Sequence, residues 1–187
     1  MIKIADLKSK LQSSSMVYIV GKPNVGKTSL MYKLIDDSSV YIMNADNVTS
    51  HPKLHNPVRH YVCVQNISFP LELNTFLKFT KQGYKTIYVN DLVTSFDKNV
   101  YTSELFDDLY NFKQIMLDNG MQCFIEHFLK KRGGLLGNDL IGSVADAVIT
   151  VNEMTFSKLC ECEIYDISLN LRGEDLKRET LIVNLTN

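Results

Sequence analysis

The residues with the clearest chemistry are Gly21-Lys22-Pro23-Asn24-Val25-Gly26-Lys27-Thr28, followed by Ser29. Glycines at 21 and 26 let the backbone wrap so that successive N–H groups converge on an anion. A helix that starts there adds the positive end of its dipole. Lys27 brings a full positive charge, and the Thr28 hydroxyl is a hard oxygen ligand suited to Mg²⁺. This spacing serves the binding of a nucleotide's phosphates, and residues 21–29 form the candidate nucleotide site. The pattern requires an apolar strand before it and a helix after it. Met16 to Val20 (MVYIV) supplies the strand, and Val25, Leu30, Met31, Leu34 and Ile35 fall at helical spacing.

A phosphate-bound magnesium also needs an acid at the end of a neighbouring strand. Thr86-Ile87-Tyr88-Val89-Asn90-Asp91 offers one, so Thr28 and Asp91 are the expected metal pair. His127 and Glu126 end another apolar run, Cys123-Phe124-Ile125. A neutral imidazole there can hydrogen-bond a γ-phosphate and register its loss. Lys130-Lys131-Arg132 follows within a glycine-containing loop, where cations suit a polynucleotide backbone. His51, His55 and His60 match no metal spacing. Cys160 and Cys162 share one strand face, without the second pair a zinc site needs. Cys63 and Cys123 sit in apolar runs as buried thiols.

The elements that must position these groups alternate along the chain. Strands are expected at Met16–Val20, Val40–Met43, Tyr61–Val64, Thr86–Val89, Gln122–Ile125 and Ala147–Val151. Helices are expected at Val25–Ile35, Leu71–Lys81, Tyr101–Asn119 and Asp139–Val144. Glu161–Leu171 and Glu179–Leu185 alternate as strands about an Arg172-Gly173-Glu174-Asp175 turn, an antiparallel hairpin. The expected fold is therefore α/β: a mostly parallel sheet flanked by helices, closed by that hairpin. The 187 residues make one domain, with residues 1–13 as an N-terminal extension. Lys plus Arg is 20 and Asp plus Glu is 21. The resulting net charge of −1 excludes a generally basic nucleic-acid coat while leaving room for a local basic loop. No stretch approaches the ~20 apolar residues of a membrane span, and residues 1–12 lack a signal-peptide core. A soluble, cytoplasmic protein is expected.

The loop Gly-Lys-Pro-Asn-Val-Gly-Lys-Thr resembles the first motif of ribosome-associated GTPases. N-K-x-D, which reads guanine in that family, is absent. The D-x-x-G at Asp139–Gly142 opens a late helix instead of ending a strand. The remaining features are similar to RecA-like P-loop ATPases, the recombinase core and the ring helicases of DnaB and phage primase-helicase type. Met43-Asn44-Ala45-Asp46 stands where recombinases carry the acid that polarises the attacking water. His127 stands at the γ-phosphate sensor. Asn138 to Ser143, with Ala145-Asp146-Ala147-Val148-Ile149, is similar to the helicase stretch D-L-R-G-S and a-D-x-v-i, although Ile141 replaces the usual Arg. Leu169-Asn170-Leu171-Arg172-Gly173 resembles the strand whose Arg reaches a neighbouring subunit's nucleotide.

That resemblance implies an ATP- and Mg²⁺-dependent ATPase acting on single-stranded DNA in recombination or replication, of phage or mobile-element type. Lys27, Asp46, His127 and Arg172 would be its catalytic residues and Lys130, Lys131 and Arg132 its DNA contacts. It would act as a homo-oligomeric ring or filament, with a replication or recombination protein as a possible partner. The alternatives are a non-catalytic or slow ATP-binding assembly module and, ranked lower, a small-molecule kinase or a GTPase.

Overall fold

The computed structural model describes residues 1–34, 39–44, 61–64, 78, 80–90, 92, 101–130, 134–137 and 140–184. For residues 40–44 and 61–64 it describes the backbone alone. The strands are β1 (Ile2–Lys3), β2 (Met16–Gly21), β3 (Ser39–Asn44), β4 (Tyr61–Val64), β5 (Thr86–Val89), β6 (Gln122–Phe128), β7 (Ala147–Ser157), β8 (Cys162–Leu171) and β9 (Lys177–Asn184). The helices are α1 (Ile4–Lys10), α2 (Lys27–Leu34), α3 (Ser103–Asp118) and α4 (Ile141–Val144). Among the described residues these nine strands form one sheet, ordered β1-β9-β8-β7-β2-β6-β5-β3-β4.

β2 lies at the centre, paired in parallel with β6 on one side and β7 on the other. Its six residues are all buried, as expected of a parallel strand covered on both faces. Because side chains alternate across a strand, β2 feeds two cores. Met16, Tyr18 and Val20 join Ile87, Val89, Cys123 and Ile125 under α3. Val17 and Ile19 join Tyr88 and Phe124 under α1 and α2. α3 meets the sheet through Leu105, Leu109, Phe112 and Met116, a stripe at helical spacing. Each such side chain taken out of water contributes on the order of 1.5–3 kcal/mol.

Two elements exceed the sequence expectation. Residues 1–13 are built into the core. β1 pairs in parallel with β9 through Ile2 opposite Leu181, and Leu7 and Leu11 are fully buried. Asp6 accepts a 2.8 Å hydrogen bond from the Lys3 N–H at the start of α1. Ile4, Leu7 and Leu11 repeat every three or four residues, so the lysines between them mark the solvent face of a helix. Second, β7 continues to Ser157 and pairs antiparallel with β8, which makes a three-stranded β7-β8-β9 meander. The register shifts between Val151 and Glu153, a bulge that turns the outer half of β7 beside the 21–28 loop.

The sheet is mostly parallel, flanked by helices and closed by antiparallel strands, as the sequence implies. Among the described residues no helix is long and apolar enough to cross a membrane.

Candidate phosphate site

The loop after β2 owes its shape to two glycines. Gly26 has φ +94°, in the left-handed region that glycine alone adopts at little cost. A Cβ there would also lie 2.8 Å from Cβ of Met154 on β7. At Gly21 a Cβ would fall 2.7 Å from the Val151 carbonyl oxygen. The loop is therefore pressed against the bulged part of β7, and only glycines fit. Asn24 also takes a positive φ, 63°. α2 begins at Lys27, and the Leu30 N–H reaches the Gly26 carbonyl at 2.9 Å, so the loop runs straight into the helix.

Pro23, Asn24, Gly26, Lys27, Thr28 and Ser29 line a cleft of about 500 Å³ together with Asn90, Glu126, Phe128 and Met154. Lys27 is only 4% exposed. Its ammonium donates to the Lys22 carbonyl at 3.0 Å and stands 4.4 Å from the centre of the Phe128 ring. Thr28 Oγ1 is 2.9 Å from each carboxylate oxygen of Glu126, and Lys27 Nζ is 3.9 Å from Glu126 Oε1. On the flank of α2, the Tyr165 hydroxyl from β8 is bonded to Ser29 Oγ at 3.0 Å and to Glu163 at 2.6 Å. Burial, together with the Glu163 carboxylate, raises the Tyr165 phenol well above its ordinary range, so it stays protonated as a donor.

The structure brings residues 21–29 together as the sequence implies and adds Glu126, which sequence reasoning left in the shadow of its neighbour. β6 alternates. Phe124 packs on the α1/α2 side of the sheet, so Glu126 and Phe128 share the α2 side, while Cys123, Ile125 and His127 face the other way. His127 is fully buried, and its Nε2 hydrogen-bonds the Leu136 carbonyl at 2.6 Å, pinning residues 134–137. The structure does not bring it to the cleft. The signal that could have distinguished the two side chains was the parity of β6 against β2, where Ile19 stands opposite Glu126.

Arg172 is similarly remote. β7 starts at Ala147 beside Val17 and opposite Leu171, so the β8–β9 turn sits at the end of the sheet where β2 begins. The phosphate loop leaves β2 at the other end. Arg172 donates its backbone N–H to the Asp146 carbonyl at 2.7 Å. Asp46, Asp91, Lys131 and Arg132 lie outside the described residues. Lys130 donates its backbone N–H to the Gly134 carbonyl at 2.9 Å. Asn90, directly after β5, is buried and lines the cleft.

A glycine-cradled loop entering a helix, with a buried lysine and a threonine at its end, defines a P-loop nucleotide-binding protein. Residues 16–65 match the model of a protein family, the 50S ribosome-binding GTPases. No curated protein matches the chain. The family match corrects the functional expectation of a RecA-type ATPase acting on DNA, and the low rank given to a GTPase. The match spans β2, the phosphate loop, α2, β3 and β4. N-K-x-D, on whose absence the GTPase was set aside, concerns the base and carries no weight against a loop that holds phosphates. His127 does not reach the cleft, and Arg172, expected to act on a neighbouring subunit's nucleotide, lies at the opposite end of the sheet from this chain's own phosphate loop.

Among the described residues no group of three or more His, Cys, Asp or Glu could hold a metal by itself. The cleft nevertheless fits a magnesium–nucleotide, because Mg²⁺ takes one or two protein oxygens, phosphate oxygens and water. Thr28 and Glu126 present hard oxygens beside the buried Lys27 charge.

Proposed function

We propose that the protein is a Mg²⁺-dependent P-loop GTPase that binds GTP and releases inorganic phosphate. The observation that carries this reading is the intact phosphate loop, with Lys27 and Thr28 in place, inside the segment that matches a GTPase family. Loop N–H groups and the start of α2 receive the β- and γ-phosphates. The Lys27 ammonium moves from the Lys22 carbonyl to their oxygens, exchanging a neutral acceptor for a charged one. Bound Mg²⁺ supplies further charge neutralisation on the same oxygens. Water attacks the γ-phosphorus, the bond to the β,γ-bridging oxygen breaks, and GDP and phosphate leave. Asp46, on the segment after β3, is proposed to orient that water. Arg172 can reach a nucleotide only in a neighbouring copy stacked head to tail, so a role for it requires self-association.

The test is competition against a fluorescent GTP analogue, followed by phosphate release. GTP should displace the analogue at least ~10-fold more effectively than ATP, a difference of about 1.4 kcal/mol. Lys27→Ala should weaken binding of either nucleotide about 100-fold. Equal displacement by ATP removes the guanine assignment and leaves the P-loop reading. Absence of nucleotide binding removes both.

A further inference from the structure

The sequence places the acid of the metal site at Asp91, after β5. The structure offers a second acid. The end of β5 reaches the cleft through Asn90, and β6 lies between β5 and β2. β6 pairs directly with β2, and its Glu126 stands beside Ile19, two residues before the loop begins. Glu126 is 95% buried, accepts the Thr28 hydroxyl within 2.9 Å of both carboxylate oxygens, and has the Lys27 ammonium 3.9 Å away. A phosphate chain that enters this cleft meets a buried anion at short range, where the repulsion is poorly screened. A divalent cation between the two relieves it, and Thr28 Oγ1 already marks a point equidistant from both carboxylate oxygens.

We propose that Glu126 and Thr28 form the protein half of the divalent-cation site, and that Glu126 makes nucleotide binding conditional on the metal. Metal-free nucleotide is rejected by the carboxylate, and the metal–nucleotide complex is accepted through it. This rests on the nucleotide-binding reading above, and the test separates the two. A structural role for Glu126, as acceptor for Thr28, is kept by glutamine, whose side-chain carbonyl still accepts a hydroxyl proton. A metal role is not.

The experiment measures binding of the fluorescent GTP analogue to the full chain and to Glu126→Gln, with Mg²⁺ and with EDTA. In the wild type, Mg²⁺ should tighten binding by roughly 100-fold. In Glu126→Gln the two conditions should differ by less than about 5-fold, with metal-free binding at least ~5-fold tighter than wild type. An unchanged metal effect in a folded Glu126→Gln overturns the proposal, and so does metal-free binding no tighter than wild type. A wild type that binds no nucleotide under either condition overturns the nucleotide reading and this inference with it. Should Glu126→Gln fail to fold, Glu126→Asp and a Mn²⁺ relaxation measurement on the GTP complex decide the matter. Displacing the carboxylate should weaken Mn²⁺ retention at least ~5-fold while leaving melting temperature near wild type. Retention equal to wild type overturns the proposal.

Discussion

Thr28 Oγ1 lies 2.9 Å from both carboxylate oxygens of Glu126, although 98 residues separate the two. The pairing follows from the sheet alone. β6 runs parallel to β2, its even-numbered residues point toward α2, and α2 starts where the phosphate loop ends. A parallel sheet gathers strand ends and helix starts on one edge, and ligands of open α/β sheets bind there.

The close approach of Gly26 to Met154 makes the loop intolerant of any side chain. Gly26→Ala is expected to lose roughly 1–3 kcal/mol of stability from the φ of +94° and the 2.8 Å clash, and to abolish nucleotide binding. The double variant Gly26→Ala/Met154→Gly removes the Cβ that the new methyl meets at 2.8 Å, but not the backbone strain. Denaturant midpoints should therefore show partial recovery when it is compared with the two single variants, beyond additivity.

Residues 1–13 belong to the fold rather than hanging from it. Leu7 is fully buried among the residues around Leu30, Leu34 and Leu181. Leu7→Ala should cost about 2–5 kcal/mol in urea unfolding without loss of cooperativity. An exposed extension would tolerate the change within about 0.5 kcal/mol.

What was legible in the sequence followed hydrophobic period and turn chemistry. Tyr61–Val64 and Thr86–Val89 are strands with the expected limits, and α3 lies inside the expected Tyr101–Asn119. β7 runs six residues past its expected end because Asn152 and Glu153 interrupt the apolar run. Antiparallel pairing with β8 carries the strand through that interruption at the cost of a bulge. At the site, the loop was legible because its glycines, lysine and threonine are contiguous. Glu126 was not, because its neighbour His127 is equally polar in sequence and only the parity of β6 separates them. The placement of Arg172 required the strand directions, which a linear pattern does not carry. The RecA-type reading rested on short matches late in the chain, and the family match over residues 16–65 overturns it.

Asp166 on β8 and Arg178 on β9 form a two-pronged pair on the exposed face of the meander, one bond being Arg178 Nε to Asp166 Oδ1 at 3.0 Å. The arginine's hydrogen bonds hold the Asp166 carboxyl below its ordinary range, with Asn152 adding to the effect. A carboxylate whose folded pKa is depressed contributes stability that is complete above its unfolded value of about 3.9 and is lost as pH falls through the folded value. Arg178→Met should therefore be less stable than wild type at neutral pH. The gap should narrow below about pH 4 and close once Asp166 is protonated in both proteins, as read by unfolding curves from pH 2 to 7. A gap that persists unchanged at pH 2 would sink this account.

Buried Lys113 and partly buried Asp146 make an ion pair at the end of the sheet away from the phosphate. Lys113 Nζ donates to Asp146 Oδ1 at 2.5 Å and to the Val144 carbonyl at 2.7 Å. Asp146 Oδ2 accepts the backbone N–H of Ser15 at 3.0 Å and of Met16 at 3.1 Å. One carboxylate thus ties α3 to the first residue of β2 at the start of β7. Lys113→Met removes the cation and leaves the Val144 carbonyl and the Asp146 charge without it. Breaking a fully buried pair costs about 3–5 kcal/mol. Here the Asp146 side chain is 19% exposed, so the expected loss is roughly 2–4 kcal/mol. Asp146→Asn should cost a comparable amount, and the double variant less than the sum by about 1–3 kcal/mol, because the two act on one network. The phosphate loop leaves the opposite end of β2, so nucleotide affinity of folded Lys113→Met should stay within about 2-fold of wild type. A larger drop would show that the anchor at Met16 sets the position of Gly21 as well as the stability of the sheet.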